Sequence, residues 1–157
     1  SLMAISDHIN WSGYNPLIGK NQDEYGPRFH DMSDGYHKFY RDQLLGIANK
    51  TKQQVFEGIY CMYSGPNFET PAEINALKVI GGNAVGMSTV PEVLVANHCD
   101  LSVIAISVIT NLAAGMNKTK LSHKETLENA NLAENNILQL IKNFITEVTF
   151  DDSTGNN

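Results

Sequence analysis

The chain has 157 residues, and 42% of them are hydrophobic, which is enough to cover the core of one domain. Its formal charge is -6, from 11 basic and 17 acidic residues, so nucleic acid and membrane surfaces are not expected partners. No apolar run approaches the roughly 18 residues that span a bilayer. Cys61 and Cys99 lie in apolar surroundings without CxxC spacing. That setting favours buried thiols and a reducing, cytoplasmic compartment.

The N-terminal third predicts a strand, a long loop and a helix. Residues 2–5 read like the end of a buried strand, so we expect the chain to be part of a longer domain. Residues 7–31 are rich in Gly, Pro, Asn and Asp, which is typical of a functional loop. Ser33 or Asp34 can cap a helix that ends near Asn49. The helix carries aromatic residues that we expect in the core, namely Tyr36, Phe39 and Tyr40.

Two strand and helix units follow. Residues 55–63 predict a strand, and Thr70 with Glu73 forms the sequence pattern of a capping box that opens a helix to about Ile80. Gly81 supplies a left-handed stop. Residues 84–87 predict a short strand, and residues 89–92 repeat the capping-box pattern to open a helix to about His98.

The last unit combines a long apolar stretch with a long helix. Residues 101–110 are apolar and β-branched with almost no alternation, which predicts a strand buried on both faces of a sheet. Ser122 begins a third capping-box pattern, and the helix after it carries apolar residues at helical spacing, namely Leu127, Ile137, Leu140, Ile141 and Phe144. Residues 151–157 are polar, and we expect a disordered tail.

This order of elements predicts an α/β fold with a mixed, largely parallel central sheet flanked by helices. Ligands in such sheets bind at the carboxyl ends of the strands. Polar clusters follow the three predicted interior strands, at residues 67–69, 87–89 and 110–111. We therefore expect the three clusters to meet at one site.

The polar residues of these clusters each allow a functional and a structural interpretation. Glu69 stands before a helix N-terminus and is either a ligand carboxylate or a capping one. Asn111 closes a buried strand and is either a ligand amide or a turn residue; a carboxylate and an amide together can bind the edge of a heterocycle. Phe68 and Met87 would flank a flat ligand or belong to the core. Ser88 would bind an anion or cap a helix.

The remaining patterns exclude several kinds of site. His123 is a lone histidine behind a possible capping serine, and the five histidines show no metal-ligand spacing such as HExxH. GxGxxG, GKS/T and GxSxG are absent from the sequence as well. The residues alone indicate an α/β enzyme fragment with a site for a flat polar ligand and no metal.

Five segments in chain order resemble the family of trimeric purine nucleoside phosphorylases. They cover nearly the whole chain and are residues 7–10 with the following NPLIG, 28–34 (RFHDMSD), 65–70 (GPNFET), 85–92 (VGMSTVPE) and 109–115 (ITNLAAG) with 121–123 (LSH). The resemblance implies a phosphorylase/hydrolase-like α/β/α fold and phosphorolysis of a purine nucleoside to free base and ribose 1-phosphate. It implies inorganic phosphate as co-substrate, no cofactor, and a homotrimer.

The resemblance also assigns roles to single residues. It implies that Glu69 binds the N1-H of the base, and that Asn111 stabilises the N7/O6 side of the departing purine. The other implied contacts are Phe68 and Val85 to the base, Met87 and Tyr60 to ribose, His123 to the 5'-hydroxyl, Ser88 to phosphate, and Phe29 to a neighbouring subunit's site. Thr110 is a further implied substrate-binding residue.

Two further expectations depend on the resemblance. Asparagine at position 111, together with His123, implies 6-oxopurine nucleosides such as inosine and guanosine, whereas aspartate there would imply methylthioadenosine phosphorolysis. The family's phosphate loop and first strands should precede Ser1, so we expect residues 1–157 to be the C-terminal part of a single domain that is inactive alone. A methylthioadenosine phosphorylase and a non-catalytic nucleoside-binding module remain the alternatives.

Overall fold

A central sheet with helices on both faces organises the chain. The computed structural model describes residues 1–116 and 123–150, without the side chains of residues 123–125 and 132. The elements in chain order are β1 (Leu2–Asn10), α1 (Lys38–Lys50), β2 (Val55–Met62), α2 (Pro71–Val79), β3 (Ala84–Gly86), α3 (Val90–His98), β4 (Ile106–Val108) and α4 (His123–Glu147).

The sheet is mixed and largely parallel, as the sequence predicts. Its strand order is β3-β2-β1-β4. β2 pairs in parallel with both β1 and β3, whereas β4 pairs antiparallel with β1. The carboxyl ends of β1, β2 and β3 therefore lie at one edge, and the loops that follow them start side by side.

Alternate residues of the strands face different helices, because successive strand side chains point to opposite faces. Met3 and Ile5 of β1 pack with α3, through Val90, Val93 and Leu94. Leu2 and Ala4 pack on the other face with Leu44 and Ala48 of α1 and Leu140 of α4. Cys61 of β2 packs with Ile74 and Leu77 of α2. Each large apolar side chain buried in this way contributes about 1.5–3 kcal/mol.

Three expectations for the N-terminal third are wrong in detail. β1 continues to Asn10, where it pairs with Met62, so the loop begins at Trp11 and not at residue 7. α1 begins at Lys38, and Asp34 accepts the Lys38 N–H at 2.9 Å from outside the helix. Tyr36 is buried as predicted, but Phe39 is 40% exposed, because it lies on the solvent side of α1.

The strand predicted at residues 101–110 is much shorter. Only Ile106–Val108 pair, and these three residues are half-buried and not enclosed on both faces. β4 lies at the end of the described strand order, where β1 is its one neighbour. An apolar, β-branched run indicates burial, but it does not indicate the direction or number of the strands beside it.

The long C-terminal helix forms as predicted and packs through part of its apolar stripe. Leu140 is fully buried, whereas Leu127 and Ile141 are exposed. The predicted capping serine, Ser122, and the tail at residues 151–157 lie outside the described residues. In the part of the chain that the structure describes, no helix has both the length and the apolar character needed to cross a membrane.

Candidate active site

The loops after β2 and β3 lie against each other. Met62 pairs with Gly86 in the parallel register, and the Tyr63 N–H donates to the Gly86 carbonyl at 2.8 Å. Gly65 has a φ of 64°, and a Cβ at this position would overlap the Met87 sulfur. The first two polar clusters that the sequence predicts, at residues 67–69 and 87–89, therefore follow adjacent strand ends.

The loop after β2 leads into a helix cap that involves neither Phe68 nor Glu69. The Thr70 Oγ1 accepts the Glu73 N–H at 3.2 Å, and the Glu73 carboxylate accepts the Thr70 N–H at 2.7 Å. The predicted capping box is thus confirmed, and Glu73, not Glu69, is its carboxylate. Glu69 is 7% exposed beside this helix N-terminus, and Phe68 is 40% exposed.

The turn between β3 and α3 differs from the sequence prediction. Thr89 has φ 76° and ψ -51°, and its side chain makes no capping hydrogen bond. The Val90 N–H donates to the Ser88 carbonyl at 2.9 Å, which closes a three-residue γ-turn of the strained, positive-φ form. The predicted second capping box is therefore wrong, because a capping residue needs an extended backbone. A threonine held in this conformation costs about 1–3 kcal/mol.

Tyr60 lies beneath this turn. The residue is 4% exposed, and its hydroxyl oxygen accepts the Ser88 N–H at 3.3 Å. A Cβ on Gly86 would overlap the same hydroxyl. Ser88 and Met87 are themselves exposed, and the Ser88 and Thr89 hydroxyl oxygens lie 3.3 Å apart. The structure thus brings three of the predicted site residues, Tyr60, Met87 and Ser88, together.

A pocket of about 190 Å³ lies on the face of the sheet that α2 covers. It includes three predicted substrate-binding residues, Val85, Thr110 and Asn111, and its apolar wall includes Cys61, Ile74 and Leu77. Pockets that enclose a drug-sized ligand usually measure about 300–1,000 Å³. The volume therefore suits a flat base better than a whole nucleoside.

The Asn111 amide at this pocket is held by neighbouring hydroxyl groups. Its Oδ1 accepts the Thr110 hydroxyl at 2.6 Å and the Thr126 hydroxyl of α4 at 3.4 Å, and its Nδ2 donates to the Leu112 carbonyl at 3.1 Å. The Asn129 side chain, also on α4, donates to the Thr110 carbonyl at 2.7 Å. The Nδ2 group has two hydrogens and can therefore donate a second hydrogen bond, to a ligand.

The third predicted cluster reaches the pocket by a different path from the other two. β4 is antiparallel, and Val108 pairs with Leu2, so Thr110 and Asn111 follow the opposite end of the sheet. The expectation that all three clusters follow carboxyl ends at one edge is therefore wrong. The chain then runs back over α2, where Gly115 packs against Pro71. Glu69 lies two residues before Pro71 but is not among the residues that line the pocket.

Two predicted site residues remain, Phe29 and His123, and Phe29 is not among the residues that line the pocket. Phe29 is 89% exposed, in the loop between β1 and α1. The side chain of the neighbouring Arg28 donates to the carbonyls of Leu17 and Gly19 at 3.2 and 2.8 Å, which links the segment that carries Phe29 to an earlier part of the same loop. His123 begins α4, but its side chain lies outside the described part of the structure.

The protonation state of Cys61 bears on the chemistry of the pocket. Burial raises the pKa of the Cys61 thiol above its ordinary value, so the thiol is protonated at neutral pH and acts as part of the apolar wall. Both cysteines are free thiols, with Cys61 buried and Cys99 half-buried. Among residues 1–116 and 123–150, no three His, Cys, Asp or Glu side chains form a cluster that could hold a metal ion.

Several residues that shape the site are not singled out by the sequence. Gly86 and Gly65 are required by close approaches to Tyr60 and Met87, and the one sequence hint is that Gly86 stands at a strand end. Thr126 and Asn129 orient the Thr110 and Asn111 segment from α4. No sequence pattern indicates this contact, because it joins two elements through tertiary packing.

Comparisons with known proteins identify the family of the chain. The profile of the Phosphorylase superfamily matches residues 1–146. Purine nucleoside phosphorylase 1 of Geobacillus stearothermophilus is 48% identical over 141 residues, which are 90% of this chain and 52% of that protein. The Bacillus subtilis protein of the same name is 44% identical over 146 residues, 93% of this chain and 54% of its own length. The chain thus spans about half the length of these relatives.

Solved structures match the fold closely. The Schistosoma mansoni purine nucleoside phosphorylase in complex with inosine superposes with a TM-score of 0.91 at 32% identity, over 96% of this chain and 56% of that one. Other matched structures are complexes of purine nucleoside phosphorylases with adenosine, guanosine and ribose 1-phosphate. These ligands are bound to the matched proteins and are findings about those proteins alone.

Proposed function

Because the chain belongs to the Phosphorylase superfamily, we propose that it forms the C-terminal part of a homotrimeric purine nucleoside phosphorylase. The proposed reaction is the reversible phosphorolysis of 6-oxopurine nucleosides, with inorganic phosphate as co-substrate and no cofactor. The observation that carries the proposal is the Asn111 amide, held by two hydroxyl groups at a base-sized pocket. The free thiols of Cys61 and Cys99 support a reducing, cytoplasmic compartment.

In this reaction a phosphate oxygen forms a bond to the anomeric carbon of ribose while the bond to the purine N9 breaks. The electron pair of the broken bond moves onto the purine, so negative charge develops on the leaving base. The remaining N–H of Asn111 would donate to the N7 side of the base and stabilise that charge as it develops. Glu69 would accept the N1-H of a 6-oxopurine, and Val85, Thr110 and Phe68 would contact the ring.

The sugar and phosphate would lie at the β3–α3 turn. Met87 and Ser88 are exposed there, directly before the N-terminus of α3. A serine hydroxyl beside a helix N-terminus is suited to a phosphate oxygen, because backbone N–H groups and the helix dipole both favour an anion. We infer that Ser88 contacts phosphate, Met87 contacts ribose, and His123 bonds the 5'-hydroxyl.

The preference for 6-oxopurines follows from how Asn111 is oriented. Its Oδ1 accepts two hydroxyl groups, those of Thr110 at 2.6 Å and Thr126 at 3.4 Å, so the group that the amide offers a ligand is an N–H donor. A 6-oxopurine presents acceptors at O6 and N7, whereas a 6-aminopurine presents N–H donors at position 6. One matched structure contains adenosine and another inosine, so the preference is a testable part of the proposal.

Replacing Asn111 tests this role in the full-length protein. We expect Asn111→Asp to lower kcat/KM for inosine by about 10²–10³, the usual effect of losing one charge-stabilising donor. Adenosine turnover should fall less, because a carboxylate accepts from a 6-amino group. The matched control is Asn75→Asp, the same change at an exposed position of α2. Steady-state kinetics with both nucleosides would contradict the role if the preference for inosine were unchanged.

The same assay separates the alternative functions. A methylthioadenosine phosphorylase would turn over methylthioadenosine faster than inosine. A non-catalytic binding module would bind hypoxanthine and release no ribose 1-phosphate. We expect neither outcome, because the amide at position 111 favours a 6-oxopurine and the β3–α3 turn at Ser88 suits phosphate.

We infer that Phe29 reaches the active site of a neighbouring subunit. A phenylalanine that is 89% exposed on a loop fixed by Arg28 is suited to contact another molecule. Phe29→Ala should raise the KM for inosine by about tenfold, roughly what burying part of one aromatic side chain contributes. Tyr25→Ala, at a 60% exposed position of the same loop, is the control. An unchanged KM in Phe29→Ala would contradict the cross-subunit role.

A further inference from the structure

Tyr60 is buried where β2 ends, and its hydroxyl points at the backbone of the β3–α3 turn. The hydroxyl oxygen accepts the Ser88 N–H at 3.3 Å, and only 4% of the residue is exposed. The resemblance to trimeric phosphorylases implies a ribose contact for Tyr60. The geometry gives its hydroxyl a different partner, the peptide group of the residue proposed to contact phosphate.

The turn needs such a partner because its backbone is strained. Thr89 is a β-branched residue with φ 76°, a conformation that such residues rarely adopt. Strained residues persist only where the surrounding structure holds them. Two backbone hydrogen bonds hold the turn, from the Val90 N–H to the Ser88 carbonyl at 2.9 Å and from the Val93 N–H to the Thr89 carbonyl at 3.0 Å. The Ser88 N–H is held in turn by the Tyr60 hydroxyl.

Gly86 makes this arrangement possible. A Cβ on Gly86 would overlap the Tyr60 hydroxyl, so a larger residue at this position would displace the hydroxyl from the Ser88 N–H. Tyr60 also belongs to a cluster of buried side chains that includes Tyr36, Met62 and Val90. The hydroxyl therefore has one defined position, directly under the turn.

We propose that Tyr60 is a positioning residue that holds Ser88 in place for phosphate binding. The proposal rests on the proposed function, in which Ser88 contacts phosphate, and it deepens that function by naming the residue that orients the contact. Tyr60 acts through the Ser88 backbone and touches neither phosphate nor the reacting atoms. The affinity for phosphate, more than that for the nucleoside, should then depend on the Tyr60 hydroxyl.

The test is Tyr60→Phe in the full-length protein, which removes the hydroxyl and keeps the buried ring. We expect the KM for phosphate to rise about fivefold, the effect of losing one ordinary hydrogen bond. The KM for inosine should change less than the KM for phosphate. A rise confined to the KM for inosine would overturn the proposal in favour of a direct ribose contact, and no change in either constant would overturn it as well.

Tyr63→Phe is the matched control. Tyr63 lies three residues further along, and its hydroxyl donates to Glu73 at 3.3 Å, away from the Ser88 turn. We expect both Michaelis constants to match the wild type. An equal rise in the KM for phosphate in both variants would show that any lost tyrosine hydroxyl has this effect, and would overturn the proposal.

If the Tyr60→Phe variant has no measurable turnover, a binding measurement tests the proposal instead. Thermal unfolding is recorded with hypoxanthine and, separately, with inorganic phosphate. We expect hypoxanthine to stabilise variant and wild type alike and phosphate to stabilise the variant less; loss of both shifts would overturn the proposal. If the wild type releases no hypoxanthine from inosine, the proposed function itself fails, and the phosphate-dependent shift alone decides the role of Tyr60.

Discussion

The turns that begin α2 and α3 share a sequence pattern and differ in structure. Each has a threonine, a proline in the first helical turn and a glutamate three residues after the threonine. Thr70 has an extended backbone and forms a complete capping box with Glu73. Thr89 has a positive φ and forms no side-chain cap, although Glu92 occupies the same relative position.

The length of the connection accounts for this difference. Residues 63–70 separate β2 from α2, so the chain has room to enter the helix with an extended capping residue. Only residues 87–89 separate β3 from α3, and within them the Ser88 N–H is directed to Tyr60. A local capping signal decides the structure when the connection is long enough to satisfy it. In the shorter connection, tertiary contacts decide.

Among substitutions at the two turns, the largest effect is expected from Gly86→Ala, which disturbs the contact between Tyr60 and Ser88. The new methyl group would displace the buried Tyr60 side chain, and overpacking of this kind usually costs about 1–3 kcal/mol. We expect a lower midpoint of thermal unfolding and, in the full-length protein, a higher KM for phosphate. Wild-type values for both quantities would mean that Tyr60 does not hold the turn.

Gly46→Ala is the control for that change. Gly46 lies within α1, and a Cβ there would meet nothing within 4 Å. Alanine is favoured over glycine in a helix by roughly 0.5–1 kcal/mol, so this variant should be slightly more stable than the wild type. The two glycine substitutions are thus expected to shift the unfolding midpoint in opposite directions.

The next effect tests the α2 side of the comparison. Thr70→Ala removes the Oγ1 that accepts the Glu73 N–H, and loss of such a cap typically costs about 1 kcal/mol. Thr89→Ala removes no capping bond, so its unfolding midpoint should lie closer to that of the wild type. Equal destabilisation in the two variants, measured by thermal unfolding, would contradict the distinction between the turns.

The sequence predicts most of the fold, because much of it depends on local patterns. The helix at residues 71–79 with its capping box, the glycine stop at Gly81, and strands β2 and β3 follow from propensity, spacing and turn residues. The largely parallel sheet follows from the alternation of strands and helices.

The errors concern features that local patterns do not determine. The apolar run at 101–110 does not reveal that only Ile106–Val108 pair, or that they run antiparallel to β1. The path of Asn111 to the pocket depends on contacts with Thr126, Asn129 and α2 that join distant parts of the chain. The strained turn at Thr89 depends on a hydroxyl 29 residues earlier, contributed by Tyr60.

The most direct test of the proposed function is hypoxanthine release from inosine by the full-length protein, measured with and without inorganic phosphate. We expect release only when phosphate is present, together with an equal amount of ribose 1-phosphate. Release at the same rate without phosphate, or hypoxanthine binding without any release, would contradict a purine nucleoside phosphorylase.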